Sequence, residues 1–148
     1  MNFVEANGAK IPAIGLGTMT LMEAACVEAV EAALCVGYRH IDTAERYRNE
    51  SEVGEGLRRG LRAAGIERED VFVATKVWRD QLAADDFECS LDQSLKKLEL
   101  SWVDLLLVHW PNPTVPLKET LDALCKAKRD GRAKHSREFH HVLAGGGR

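Results

Sequence analysis

The sequence predicts an α/β fold in which βα units repeat around a parallel sheet, preceded by a small β-hairpin. Short apolar runs alternate with longer segments of helical period. The runs recur about every 25 to 35 residues, the spacing that four consecutive units of a (β/α)8 barrel require. One of them, Leu105-Leu106-Leu107-Val108, is apolar without alternation, as a strand buried on both faces is.

The hairpin is read from Phe3–Ala6 and Lys10–Ile14, which flank Asn7-Gly8, a pair that tolerates the positive φ angles of a tight turn. The first strand follows at Ala13–Gly17. Its helix starts at Thr20, where Glu23 completes a capping box, places Cys26, Val27, Val30 and Leu34 on one stripe, and stops at Gly37. Tyr38–Asp42 is the second strand, and its helix runs from Asn49 through Val53, Leu57 and Leu61 to Gly65. The third strand, Val71–Thr75, precedes a helix that begins after Asp85 and aligns Phe87, Leu91, Leu95 and Leu98. The fourth strand is Val103–Val108, with a helix from Pro116 through Leu117, Leu121 and Leu124 to Gly131.

A barrel then needs a fifth apolar strand, but Arg132-Ala133-Lys134-His135-Ser136-Arg137-Glu138-Phe139-His140-His141 is polar, and the chain ends Ala144-Gly145-Gly146-Gly147-Arg148. The expected organisation is a barrel half over 1–131 and an aberrant, disordered tail over 132–148. Such an abrupt loss of apolar period is what a reading-frame shift would produce. A half barrel would also leave two parallel edge strands unpaired, which predicts self-association through those edges.

Composition narrows the function. At 148 residues, 45% apolar and 29% charged, the chain has the make-up of one soluble globular domain. No apolar run approaches the ~20 residues that span a bilayer, and the first twenty residues lack the basic-then-apolar order of a secretory signal. A cytoplasmic protein with no membrane partner is expected. A net charge of −3 with interspersed signs offers no broad basic surface, so no nucleic-acid partner is expected either. Cys26, Cys35, Cys89 and Cys125 form no C-x-x-C motif and read as free thiols, three of them at positions where a helix carries small apolar residues. The adjacent His140 and His141 would diverge on a strand or a helix, so no metal is expected.

Asp42, Lys76 and His109 each fall at the C-terminal end of a different predicted strand, and Tyr47 lies in the loop after the second. Parallel strands bring those ends together on one rim. Tyrosine is a weak acid, with a reference pKa of about 10, but an adjacent ammonium group stabilises its phenolate and eases proton donation. Lys76 is placed to supply that charge, Asp42 to hold Lys76 protonated, and His109 to orient a carbonyl beside the phenol. Singly, each has a plainer structural reading: a helix-capping Asp, a half-buried Tyr, a solvated strand-end Lys, a core His.

The local words favour the joint reading. Gly15-Leu16-Gly17-Thr18, Asp42-Thr43-Ala44-Glu45-Arg46-Tyr47-Arg48-Asn49-Glu50, Thr75-Lys76-Val77-Trp78 and Asp104-Leu105-Leu106-Leu107-Val108-His109-Trp110-Pro111, in that order and spacing, resemble the signatures of the aldo-keto reductase family over roughly Val4 to Lys134. Bacterial 2,5-diketo-D-gluconate reductases are the nearest style of sequence. The resemblance implies a TIM-barrel fold, represented here by its N-terminal half, and NADPH-dependent reduction of aldehyde or ketone carbonyls to alcohols. It implies Tyr47 as general acid, Lys76 and Asp42 as the pair that tunes it, and His109 as the carbonyl-orienting group. Gly17, Thr18 and Asp42 match positions near the nicotinamide, and Met19, Trp78, His109 and Trp110 match the substrate pocket, with Met19 standing where many relatives carry a bulky aromatic.

In the family the dinucleotide lies extended across the barrel mouth without a Rossmann domain. Gly15-Leu16-Gly17-Thr18-Met19-Thr20 agrees in lacking the third glycine of the dinucleotide fingerprint. The implied substrates are small aldehydes, keto acids or keto sugars. Family members continue past the position of His135 with a fifth strand and a Gly-Val-Ser-Asn-Phe word that contacts the nicotinamide amide, and later loops hold the adenosine 2′-phosphate. The alternative reading is therefore a catalytically inactive truncated or frameshifted fragment, or a non-catalytic binding protein on the same scaffold.

Overall fold

The structure, a computed structural model, describes residues 2–6 and 8–138. Asn7 of the predicted turn and the stretch 139–148, with His140 and His141, lie outside the described residues. Strands β1 (Phe3–Ala6) and β2 (Ala9–Pro12) pair antiparallel, with Ala6 opposite Ala9. This register leaves a two-residue connection in which Gly8 takes a φ of 79°, a region where a Cβ would be strained.

Five strands then form one parallel sheet in chain order: β3 (Leu16–Gly17), β4 (His40–Asp42), β5 (Phe72–Val77), β6 (Val103–Val108) and β7 (Ala133–Glu138). Helices α1 (Glu23–Cys35), α2 (Glu50–Ala64), α3 (Ala84–Leu98) and α4 (Leu117–Arg129) connect successive strands. This is the βα repeat of the predicted barrel class, carried one strand further than the sequence suggested. The expectation of a structureless segment from Arg132 is corrected for Ala133–Glu138, which pairs with β6 from Val103↔Ala133 to Val108↔Glu138. Apolar period fails there, but a strand ladder is built from backbone N–H and C=O groups, which polar residues supply equally well.

The outer face of the sheet packs on the helices. Ile41, Val73 and Leu106 meet Cys26, Val30 and Leu34 of α1, Val53 and Leu57 of α2, and Phe87, Leu91 and Leu98 of α3 in one buried core. Each such apolar side chain contributes about 1.5–3 kcal/mol by leaving water. Glycine permits close helix contact: a Cβ on Gly54 would lie 2.7 Å from the carbonyl oxygens of Lys97 and Leu98. Beneath the sheet, His40 packs edge-on against Phe72 at 5.2 Å, with Nδ1 3.3 Å from the carbonyl oxygen of Pro12, joining the hairpin to β4.

Several local expectations change. The Thr20–Glu23 capping box does not form. Helix α1 begins at Glu23, which has a φ of 50°, and its N-cap Met22 makes no side-chain cap bond. On α4 the buried stripe is Thr120, Ala123, Leu124 and Ala127, whereas Leu117 and Leu121 are exposed. Only Cys26 is a buried thiol. Cys35, Cys89 and Cys125 are free and exposed, against the expectation of core packing. Burial, with the charge of Glu52, pushes the Cys26 thiol up to about 11.

Candidate active site

Register decides which side chains share the inner face. Asp42 pairs with Ala74 and Lys76 with Leu107, so Asp42 and Lys76, two residues apart in this alignment, point the same way from neighbouring strands. His109 follows β6, where its N–H donates to the Val77 carbonyl at 2.9 Å and extends the ladder. Tyr47 is reached by a short 3-10 turn, Glu45–Tyr47, closed by Arg48 at a φ of 59°. The four side chains come from three strand ends and one turn, all on one rim.

The Lys76 ammonium is the hub. It donates to both oxygens of Asp42 at 2.8 Å, to the Thr43 carbonyl at 3.0 Å and to the Tyr47 hydroxyl oxygen at 3.4 Å. Three N–H groups meet four acceptors, so the Asp42 carboxylate shares one of them and the phenol is served by another. Lys76 is almost fully buried while the Asp42 side chain is 37% exposed, so the cation is desolvated and the carboxylate is half open to the rim.

The Tyr47 and His109 rings meet edge to face at 5.6 Å, and the Trp78 and His109 rings do so at 5.2 Å. Partial burial and the nearby Lys76 charge push His109 below the ordinary imidazole range, with Asp42 opposing, so the ring is neutral at neutral pH. Its Nδ1 is buried and has no hydrogen-bond partner among the described residues. The guanidinium of Arg46 lies 5.0 Å from the Trp78 ring.

Other predicted site residues divide. Gly17 is exposed at the end of β3, opposite Asp42, with open space where a Cβ would stand. Thr18 is buried and internally committed: its hydroxyl bonds Thr43 and the Asp42 carbonyl, its N–H donates to that carbonyl, and its own carbonyl accepts from Asn49. It braces the rim. Met19 and Trp110 are exposed and Trp78 is half-buried. Thr43 and Asn49 carry no functional mark in the sequence beyond their place in the Asp42–Glu50 word. Asn49 bonds the carbonyls of Thr18 and Leu21 and fixes where the Tyr47 turn leaves the barrel. Among the described residues, no group of three or more His, Cys, Asp or Glu is placed to hold a metal ion.

Comparison with known proteins gives the same region. A family profile described as "Aldo/keto reductase family" matches residues 13–136. The chain is 42% identical over 123 residues to methylglyoxal reductase DkgB of Salmonella typhi, a match covering 82% of this chain and 45% of that protein. The aldose reductase of Schistosoma japonicum superposes with a TM-score of 0.89 at 33% identity, covering 93% of this chain and 52% of the other. A Bombyx mori aldo-keto reductase solved in complex with NADP gives a TM-score of 0.83 at 33% identity, with 93% and 50% covered. The chain thus spans about half the length of the relatives it matches.

Proposed function

Because the chain belongs to the aldo/keto reductase family, we propose that its rim reduces the carbonyl of a small aldehyde, keto acid or keto sugar to an alcohol with NADPH. The observation that carries this is the Lys76 ammonium held between the Asp42 carboxylate and the Tyr47 phenol, beside a neutral histidine. Asp42 and the Thr43 carbonyl keep Lys76 charged and aimed. Tyr47 gives its proton to the carbonyl oxygen as that oxygen gains charge, and Lys76 stabilises the phenolate left behind. His109, neutral and in edge-to-face contact with both Tyr47 and Trp78, donates to the same oxygen and sets its direction.

The nicotinamide end of the dinucleotide fits the open, exposed Gly17 beside Asp42. Thr18 supports that position from beneath, since its polar groups are already bonded within the fold. When bound, the reduced nicotinamide supplies the hydride that the carbonyl carbon accepts. Exposed Met19 and Trp110, with Trp78 and His109, are the proposed wall for the substrate. An unbranched thioether in place of an aromatic suits substrates of varied shape.

No helix among the described residues is long and apolar enough to cross a membrane, in keeping with a cytoplasmic enzyme of small molecules. Strands β3 and β7 stand at the edges of the sheet, which supports self-association of the chain along them.

The test is direct. The purified chain is titrated with NADPH by fluorescence, and NADPH oxidation is followed with methylglyoxal, glyceraldehyde and a diketogluconate. Saturable binding with turnover that Tyr47→Phe lowers by about 10²–10⁴ supports the proposal. Binding without turnover reduces it to a binding protein on this scaffold, and a folded chain showing neither overturns it.

A further inference from the structure

The phenol and the ammonium that meet at 3.4 Å belong to segments that are not neighbours in the chain: Tyr47 sits in a turn after β4, Lys76 inside β5. Something must hold the turn against the strand, and two carboxylates outside the tetrad do so. Glu50, three residues beyond Tyr47, accepts a hydrogen bond at 2.7 Å from the hydroxyl of Thr75, which immediately precedes Lys76. Glu45, two residues before Tyr47, accepts one at 3.3 Å from the backbone N–H of Trp78, two residues beyond Lys76. The ties therefore straddle both reacting groups. Thr75 and Lys76 point to opposite faces of β5, so the Glu50 tie grips the strand from behind the site.

Glu50 stands where a carboxyl is an unfavourable choice for stability alone. It is 1% exposed, and among the described residues Thr75 gives it the one well-formed hydrogen bond, leaving Oε2 without one although the Ser94 hydroxyl is near. Burial pushes its carboxyl above the ordinary range, opposed by the hydroxyls of Thr75 and Ser94 and by the charge of Lys97. Its place in the first turn of α2 gains a little from the helix dipole, but Glu52 in the same turn gains the same from a less buried position.

We propose that Glu50 and Glu45 are positioning residues that fix the Tyr47 phenol against the Lys76 ammonium by tying the Tyr47 turn to β5 on both sides of Lys76. The inference rests on Tyr47 and Lys76 acting as the proton-donating pair, but the geometry it describes is set by the chain's own side chains.

NMR on the chain tests it with a readout independent of turnover: the cross-relaxation peak between the Tyr47 ring and the Lys76 side chain. A displacement of about 1 Å, enough to lower a rate about a hundredfold, weakens such a peak about threefold through its inverse sixth-power distance dependence. Thr75→Val, which keeps the shape and removes the donor, is expected to weaken the peak to that extent. Thr75→Ser and Glu50→Gln, which keep the hydroxyl and an acceptor oxygen, are expected to preserve it. Glu45→Ala, outside the core, opens the second tie and serves if Thr75→Val does not fold. In turnover, the two tie-breaking variants lower kcat with KM unchanged. An undiminished peak in either folded tie-breaking variant overturns the role of that tie. A weakened peak in a chain whose parent shows no turnover leaves the clamp standing and removes the enzymatic reading instead.

Discussion

The two ends of the parallel sheet each carry a lysine, an aspartate and aromatic rings, and they use them in opposite ways. At the end where the strands begin, Asp104 accepts from Arg68 and from the Val73 N–H, both at 2.9 Å, and lies 3.5 Å from Lys134. Arg68 and Lys134 stack on Trp102 at 3.9 and 3.5 Å. At the end where the strands finish, both Asp42 oxygens go, among the described residues, to Lys76 alone, and Lys76 reaches on to a phenol at the surface of the rim. The first cluster ties a turn, three strands and a ring together, and its charges are paired within the fold. The second keeps a buried cation with a bond directed at a group that can give up a proton. Reactivity in this chain lies in which partner a charge is left facing, more than in the residue types present.

The largest expected effect breaks the comparison at the rim. Lys76→Met removes the cation and should lower carbonyl-reduction kcat about a thousandfold, while the thermal midpoint moves little because the half-exposed Asp42 rehydrates. Asp104→Asn should do the reverse, costing about 3 kcal/mol in urea unfolding because Arg68 and Lys134 lose their carboxylate, with kcat per folded molecule unchanged. If Asp104→Asn kept its stability and lost its activity, the division between the two ends would not hold.

Gly54→Ala is the uncharged control. Its Cβ would press on backbone carbonyls that cannot move aside cheaply, so a loss of about 1–3 kcal/mol is expected at both ends alike.

The smallest effects are in pH, and they have opposite signs. Glu50 is raised on folding, so its contribution is full below its ordinary value of 4.5 and is lost as pH rises through the folded value. Glu50→Gln should therefore gain on the parent as pH climbs. His109 is lowered on folding, so its contribution is present above its ordinary 6.5 and is lost as pH falls. His109→Gln should gain on the parent in acid. Urea midpoints from pH 4 to 8 read both slopes.

Much of this was legible in the sequence for a physical reason. The stripe Phe87, Leu91, Leu95 and Leu98 is wholly buried because periodicity reports burial directly. The tetrad was legible because strand ends in a parallel sheet converge. Strand β7 was not, since Ala133-Lys134-His135-Ser136 carries one apolar residue and is held by its backbone pairing to β6. On α4 the spacing of Leu117, Leu121 and Leu124 suggested one face, but Thr120 and Ala123 fill it, because small residues can face a close neighbour as well as leucines can. The Glu50–Thr75 and Glu45–Trp78 ties were invisible because each joins residues 25 or more positions apart that carry no periodic mark.

The stacking of Trp102 between two cations has an optical consequence. Trp78 and Trp110 flank His109 in the chain or in space, whereas Trp102 sits at the far end of the same strands. With Trp78 and Trp110 replaced by phenylalanine, the remaining indole emission reports the opening of one end of the sheet. With Trp102 replaced instead, it reports the other. The molecule carries its own pair of lamps, and a stopped-flow trace of each would reveal whether the two ends come apart together or in turn.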